Sequence, residues 1–454
     1  MTKPIPKIIA IDDDPTGSQT VHGCLLLTRW DADTLREALL DASPLFFVLS
    51  NTRGLGAEEA AAVTREICVN LRSALADLAA EGNPIQPVVV SRSDSTLRGH
   101  YPVETDVIAA ELGPFDAHFL VPAFFEGGRI TRDGVHYLIV DGEPVPVNQT
   151  EFAGDSVFGY RHAYLPDYVE EKTAGRIRAD DVIRFDLEAV RGDLGGRLRA
   201  LTGNACCVVD AECQEDLDGL ARQVLAAAGE GKRFLFRSAA SLLTALAALP
   251  PQPVASAEMY RFVRAGRSGV VLMGSHVATS SRQLDYLVQQ TDVLPVLIDL
   301  DRLIEDPDRL LSDILHQMEG AQGAHRGAVL YTSRDERQFP NKSERLAFGE
   351  RVSAFLVRIV QNLPQDIGFL ISKGGITSND TLSKGLALRT ARVLGQVRPG
   401  CSVVRCPSGH PRFPDLPVVI FPGNVGGEEA LAEVYGILSA PPKERQGDRS
   451  VERL

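Results

Sequence analysis

The sequence predicts an α/β protein of two domains, each a mainly parallel sheet flanked by helices, with a β-hairpin inserted in the first. Three observations carry this reading. Apolar runs of four to eight residues alternate with longer helical patterns along the chain, the rhythm of β–loop–α units. At 454 residues the chain is too long for one ordinary core. Pro250-Pro251-Gln252-Pro253 breaks the rhythm as a linker would. Residues 1–250 and 251–440 are therefore expected to form the two domains, and the charged, Pro- and Gly-containing segment 441–454 a mobile tail.

Taken in order, Ile5 to Ile11 reads as the first strand and Val21 to Thr28 as the second. Asp31 to Ala42 reads as a helix, with Asp31 or Asp33 as its cap. Strands over Leu45 to Leu49, Pro87 to Val90 and Ala117 to Val121 alternate with helices over Ala57 to Ala80 and Pro102 to Leu112. The style then changes. Turn residues surround Tyr137-Leu138-Ile139-Val140, and Asp141-Gly142 is a hairpin signal, so Gly127 to Asn148 is expected to hold the inserted hairpin. Gly154 to Thr173, rich in Tyr, Pro and Asp, reads as irregular. Strands return at Cys206 to Asp210 and Phe234 to Phe236, with helices at Gln214 to Ala228 and Ala239 to Leu249. The second domain offers strands at Gly269 to Met273, Val293 to Ile298, Gly327 to Tyr331, Ile367 to Ile371, Ser402 to Arg405 and Pro417 to Phe421. Ser343 to Leu363 and Glu428 to Leu438 read as helices between or after them.

Composition narrows the function. A hydrophobic content of 44% and a charged content of 24% suit a soluble globular protein. A formal net charge of -13 argues against nucleic acid or an anionic membrane as partner, though a local Arg cluster can still take a small anion. Seven Cys without a CxxC pair argue against a disulfide framework or zinc site. The N-terminus lacks a signal-peptide pattern and no apolar run reaches ~20 residues, which together predict a cytoplasmic protein.

Chemistry concentrates in loops at strand ends, where ligands of open α/β sheets bind. Asp12-Asp13-Asp14-Pro15-Thr16-Gly17-Ser18-Gln19 follows the first strand. Adjacent carboxylates repel one another, and become reasonable around Mg²⁺ or a hydroxyl that must lose a proton. Ser91 to His100 combines Arg92, Arg98 and His100 with Asp94 and the hydroxyls of Ser93, Ser95 and Thr96. Arg matches a carboxylate or phosphate in a two-pronged way. Asn51 and Arg53 end the intervening strand and are expected on the same rim. In the second domain, Ser372 to Asp380, Phe421 to Gly427 and Gly274 to Thr279 each join a strand to a helix with small residues, and suggest a phosphate cradle. Neither GxxxxGK[ST], the Rossmann GxGxxG nor a GxSxG elbow is present. His118, His136 and His162 show no ligand spacing and read as packed or surface residues.

These loops, in this order and over nearly the whole chain, resemble the four-carbon acid sugar kinase family. Asp13-Asp14-Pro15-Thr16-Gly17 matches its ADDxTG motif with Asp12 in place of Ala, and Asp94-Ser95-Thr96-Leu97-Arg98-Gly99 matches its DSTLRG motif throughout. Val121-Pro122-Ala123-Phe124 with Gly128-Arg129 is similar to its PAFP…GR segment. Gly274-Ser275, Gly374-Gly375-Ile376-Thr377-Ser378 and Gly423-Asn424-Val425-Gly426 resemble its later glycine loops. Phe421-Pro422 stands where a Lys-Ser is usual, leaving Lys373 and Lys384 as candidates for the phosphate-facing lysine.

The resemblance implies ATP-dependent phosphorylation of a hydroxyl on a short sugar acid such as a threonate, erythronate or 3-oxo-tetronate, with ATP and Mg²⁺ as cofactors. The first domain would hold the acid and the second the nucleotide, and the assembly would be compatible with a homodimer. Asp13, Asp14 and Asp94 are the candidate catalytic carboxylates, for base or Mg²⁺ duty. Arg53, Arg92, Ser95, Thr96 and Arg98 would bind the acid. Ser275, Gly374, Gly375, Ile376, Thr377, Gly423 and Asn424 would bind ATP. Two other classes compete: a Mg²⁺-dependent hydrolase or lyase on a small phosphorylated acid, which would turn over without ATP, and a non-catalytic nucleotide or metabolite sensor, which would bind ATP without acceptor-dependent ADP release.

Overall fold

The computed structural model describes residues 5–264, 268–274, 277–333 and 339–440. They form two compact units. One runs to Gln252 and is rejoined by Leu388–Gly400; the other holds Pro253–Ala387 and the chain from Cys401 onward. The segment 388–400, which the sequence places in the second half, thus folds with the first. The expected tail, 441–454, lies outside the described residues.

The first unit is built on strands β1 (Ile5–Asp12), β2 (Leu25–Leu27), β3 (Leu45–Leu49), β4 (Ile85–Arg92) and β5 (Ala117–Val121). A separate antiparallel sheet follows: β6 (Arg129–Arg132), β7 (Val135–Val140) and β8 (Glu143–Pro146). This is the expected insertion, with one strand more than a hairpin. The main sheet resumes with β9 (Ile183–Phe185), β10 (Ala205–Val209) and β11 (Phe234–Ser238). Its order is β2-β3-β1-β4-β11-β5-β10-β9, all parallel, with Thr390–Arg398 antiparallel against β2. The strands read as continuous apolar runs because helices cover both faces; every residue of β3, β5 and β11 is buried.

Helix Ala57–Ala80 shows how one face is covered. Glu59 accepts from the Gly56 N–H at 3.2 Å, satisfying a donor at the helix start. Ile67, Cys68, Leu71, Ala74 and Leu78 then fall on one stripe and bury in one core with Ile9, Phe46, Val48 and Val89. Each fully buried aliphatic side chain stabilises by ~1.5–3 kcal/mol, and Leu71→Ala should remove ~2–5 kcal/mol. Further along the same face of the sheet, Tyr160, Leu165, Tyr168 and Val169 pack with Leu97, Leu120, Cys206 and Val208. That core docks the segment after the small sheet.

The sheet order reverses around β1, which lies between β3 and β4. In such sheets a crevice opens beyond the carboxyl ends of the strands at this point. The ends are level: Asp12 is registered against Leu49 and Arg92, and Ser238 against Arg92 and Val121.

In the second unit the order is Leu294–Ile298, Ala328–Thr332, Val270–Met273, Leu370–Lys373, Pro417–Phe421 and Cys401–Arg405. All pairs are parallel except the last. Met273, Lys373 and Phe421 lie level at the carboxyl edge.

Three expectations are corrected. Gly154 to Thr173 is not wholly irregular: Leu165–Lys172 is a helix. Pro166 suits its first turn, where a missing N–H is harmless. The strand Ile367 to Ile371 runs instead over Leu370–Lys373, so Ser372 and Lys373 belong to the sheet rather than the loop. Strands Ile183–Phe185 and Thr390–Arg398 had no counterpart in the reading. Among the described residues no helix is long and apolar enough to cross a membrane. All seven cysteines are free. Burial pushes the Cys24, Cys68 and Cys206 thiols up to about 12.

Candidate active site

Two loops at the carboxyl edge of the first unit are built alike. Asp14 Oδ1 accepts from Thr16 N at 2.8 Å and Thr16 Oγ1 at 2.6 Å. Asp94 Oδ2 accepts from Thr96 N at 3.2 Å and from Thr96 Oγ1. Each is an Asp-x-Thr turn in which the carboxylate replaces a backbone acceptor. Arg53 bridges them: Nη1 lies 3.0 Å from Asp14 Oδ2 and 3.8 Å from Asp94 Oδ1, while Nη2 is 2.5 Å from Asp13 Oδ1. A single guanidinium therefore answers the repulsion among the aspartates.

The remaining charges pair in the same way. Arg98 Nε donates to Asp94 Oδ2 at 2.8 Å and its Nη2 to Oδ1 at 3.2 Å. Its guanidinium also stacks 4.8 Å from the Phe152 ring. Arg92 Nη1 lies 3.4 Å from Asp12 Oδ1. Arg237 binds Glu104 and donates to Ser91 Oγ at 2.7 Å, and Glu104 also accepts from Thr52 Oγ1 at 2.5 Å. Ser93 Oγ lies 3.0 Å from both Asp13 Oδ2 and the Arg98 carbonyl.

Two glycines make this density sterically feasible. A Cβ on Gly17 would fall 1.8 Å from Asp12 Oδ2. Gly99, at φ +113°, would place one 2.7 Å from Arg237 Nη2 and 2.8 Å from Asp13 Oδ2.

The DSTLRG loop is held from behind by three side chains of the segment after β5. His136 Nε2 lies 2.8 Å from Ser95 O, Tyr160 donates to Thr96 O at 2.8 Å, and Tyr168 to Leu97 O at 2.8 Å. A carbonyl only accepts, so Nε2 of His136 carries the proton, and Nδ1 is free to accept from Thr131 Oγ1 at 2.9 Å. Burial, first of all, lowers the His136 pKa to about 4.

Electrostatics separates the aspartates. For Asp12, burial dominates and pushes the pKa up to about 7; Arg92 opposes this and Asp13 and Asp14 add to it. Its Oδ2 is buried without a hydrogen-bond partner. For Asp94, burial is again the largest influence, but Arg53 and Arg98 overcome it and hold the carboxyl well below its ordinary value. Asp14 is likewise held low against burial, by Arg53 and Thr16.

Of the residues singled out from sequence, Asp13, Asp14, Arg53, Arg92, Asp94, Ser95, Thr96 and Arg98 thus share one network or its supporting loop. Asp13 and Arg92 are buried within it; Asp14, Asp94 and Arg98 remain partly exposed. A crevice of only about 10 Å³ lies between Ser93, Asp94, Arg98, Pro122, Arg237 and Ser238 on one hand and the buried Leu97, Leu120 and Tyr168 on the other. Among the described residues no group of three or more His, Cys, Asp or Glu is arranged to hold a metal ion. The oxygens of Asp13, Asp14 and Asp94 are already taken by guanidinium groups and by the Ser93 and Thr16 or Thr96 donors, so this arrangement does not fit a divalent cation. Arg237, Glu104, Tyr160 and Tyr168 escaped the sequence reading, and His136, read there as packed or surface, is packed and buried. For Arg237 a signal existed: one charge inside the apolar strand FLFRS.

In the second unit, Gly374 follows Leu370–Lys373 at φ +118°, a conformation that favours glycine. Gly375–Asp380 then forms a short helix. A Cβ on Gly274 would fall 2.3 Å from Thr377 Oγ1, which brings these two loops into contact. The Phe421–Gly427 loop is held by buried donors acting on its carbonyls. Lys373 Nζ donates to Pro422 O at 2.6 Å and Gly423 O at 3.1 Å, above the Phe421 ring. Ser280 Oγ donates to Gly423 O at 2.9 Å, and Gln283 Nε2 lies 2.9 Å from Val425 O and 2.8 Å from Gly427 O. The backbone N–H groups of Gly423 to Gly427 have no acceptor among the described residues. Carbonyls held inward and free N–H groups are what an anion cradle requires. Asn424 and Ile376 are exposed here, and Thr377 is buried. Lys384 instead pairs with Asp380 at 2.9 Å. Ser275 lies outside the described residues.

Comparison with known proteins matches this division. Residues 8–246 match the family described as sugar-binding N-terminal domain, and residues 270–431 the family described as nucleotide-binding C-terminal domain. A protein of Heliobacterium modesticaldum named D-erythronate kinase is 27% identical over 451 residues, 93% of this chain and 95% of that one. A solved Haemophilus influenzae protein of a family of unknown function has a TM-score of 0.64 at 16% identity, covering 95% of this chain and all of its own. A Salmonella typhimurium protein, solved as a candidate tRNA synthase, has a TM-score of 0.66 at 18% identity, covering 95% and 98%. At these identities the two structures speak for the fold alone.

Proposed function

We propose, for a chain that belongs to the four-carbon acid sugar kinase family, that it transfers the terminal phosphoryl group of ATP to a hydroxyl of a short sugar acid. D-erythronate is the first substrate to test, because the relative matched along almost its whole length is named for it. The observation that carries the reading is the contrast between the two units. One presents a partly exposed acidic and guanidinium cluster beside a small crevice, the other a loop of free backbone N–H groups.

Phosphoryl transfer asks a protein mainly to position its substrates and neutralise charge. We assign the acceptor hydroxyl to Asp94, which stands partly exposed just beyond the carboxyl end of β4. Held as an anion by Arg53 and Arg98, Asp94 orients the hydroxyl as a hydrogen-bond acceptor more than it removes a proton early. Asp14 is the second candidate for that contact, and Asp13, buried between Arg53 and Ser93, keeps the cluster in register. Ser95 and Thr96 supply hydroxyl and backbone groups beside it. Gly374, Gly375, Thr377, Gly423 and Asn424, with Ser275, receive the phosphates, and exposed Ile376 offers an apolar surface for the base. Mg²⁺ enters on the nucleotide, since the aspartates do not fit it.

The test is ADP release by the full chain with Mg-ATP and a panel of four-carbon sugar acids. ADP formation that requires D-erythronate or a close relative, with one phosphate gained by the acid, is the expected result. Turnover of a phosphorylated acid without ATP, or ATP binding with no acid-dependent ADP, would remove the reading.

A further inference from the structure

The guanidinium groups around the DSTLRG loop are almost all taken. Arg53 is shared by Asp13 and Asp14, Arg92 faces Asp12, Arg98 faces Asp94, and Arg237 faces Glu104. A sugar acid brings one more carboxylate, and a guanidinium already paired with an aspartate offers it little net charge. Arg129 differs. Its guanidinium donates to the Gly127 carbonyl and forms no ion pair among the described residues; its Nε is buried with no acceptor, as are those of Arg53 and Arg92.

Its position is set by the backbone. Arg129 N donates to Phe124 O at 2.8 Å and Phe124 N to Arg129 O at 3.0 Å, so Arg129 is tied to the chain just beyond the carboxyl end of β5. Pro122, in that same stretch, lines the crevice with Asp94 and Arg98. Gly127 makes the room: a Cβ there would fall 2.5 Å from Arg129 Nη1. The charges of Asp94 and Arg98 both act on Arg129, and that of Arg129 acts on His136, which places it in the field of this loop. The side chain is only partly buried.

We propose that Arg129 is the anchor for the carboxylate of the acid substrate, and that it selects acids over neutral polyols. Arg53, Arg92 and Arg98 then act as the frame that holds the aspartates. This rests on the sugar-acid reading above. A carboxylate would give the uncommitted edge of the guanidinium its missing acceptors.

Calorimetric titration of the full chain tests it with two probes, D-erythronate and erythritol, the latter carrying CH₂OH in place of the carboxylate. The wild type should prefer the acid. Arg129→Gln should weaken D-erythronate by about 30-fold or more, the scale of truncating one side of a desolvated charge pair, and bring the two probes close to parity. Arg129→Lys, which keeps the charge, should recover part of the preference. Arg132→Gln, on an exposed residue paired with Glu212, should change nothing. D-erythronate affinity of Arg129→Gln within about threefold of wild type, while the wild type still releases ADP in response to the acid, would overturn the anchor and leave the kinase reading standing. A wild type that neither binds nor phosphorylates any short sugar acid would overturn the kinase reading, and the anchor with it.

Discussion

The Tyr168 hydroxyl donates to the carbonyl of Leu97 at 2.8 Å, and Leu97 sits at φ +67°, where a branched side chain is rarely found. Such a residue costs ~1–3 kcal/mol unless its surroundings hold it. Tyr168 is a buried residue of the helix Leu165–Lys172. The helix is therefore one of the supports that shape the DSTLRG loop.

Tyr168→Phe should release that support while keeping the packed ring. The orphaned buried carbonyl should cost ~1–3 kcal/mol of stability, read from urea unfolding. The apparent KM for the acid should rise while that for ATP stays put. A rise in both would point to general loosening instead.

Arg53→Met should leave Asp13, Asp14 and Asp94 facing one another with their shared cation gone. Breaking a buried pair typically costs ~3–5 kcal/mol. Arg53 helps hold Asp14 and Asp94 below their ordinary values, a stabilisation present above the unfolded pKa and lost as pH falls. The deficit against wild type, measured by urea unfolding, should therefore be larger at pH 7 than at pH 3.

Asp12 supplies a cleaner pH test. Its folded pKa, raised to about 7 mainly by burial, lies above the unfolded value. Its contribution is complete below the unfolded pKa and is lost as pH climbs through the folded one. Asp12→Asn mimics the protonated form, and should match wild type near pH 4 and exceed it at pH 8, by an amount on the order of 4 kcal/mol.

His136 has the opposite sign. Its folded pKa of about 4 lies below the unfolded value, so its contribution is complete above that value and is lost as pH falls toward 4. His136→Gln, whose amide can still donate to Ser95 O, should remove a slope on the order of 3 kcal/mol between pH 6.5 and 4. An unchanged wild-type-minus-variant difference across that window would contradict the neutral, Nε2-protonated ring.

Much of this was legible in the sequence, for physical reasons that also mark where legibility stops. Leu45–Leu49 and Ala117–Val121 are buried on both faces, so the first is an unbroken apolar run and the second is interrupted only by His118, and their bounds could be read directly. Asp94 and Arg98 stand out because charge follows an apolar strand at once. Leu165–Lys172 was hidden, since Pro, Tyr and Asp dilute its apolar spacing. Thr390–Arg398 was hidden because its partner is Leu25–Leu27, far away in the chain. The pairing of Arg53, Arg92 and Arg98 with particular aspartates, and the lack of one for Arg129, depend on which side chains face each other in space. No spacing rule encodes that.

The central claim is a division of labour, with the acid gripped by the first unit and the phosphates by the second. Backbone hydrogen exchange of the full chain with D-erythronate alone, and separately with Mg-ADP alone, tests it most directly. The acid should slow exchange in residues 94–99 and 127–131, and the nucleotide in residues 374–378 and 423–427. Protection by D-erythronate confined to the glycine loops, or by Mg-ADP confined to the DSTLRG loop, would contradict it.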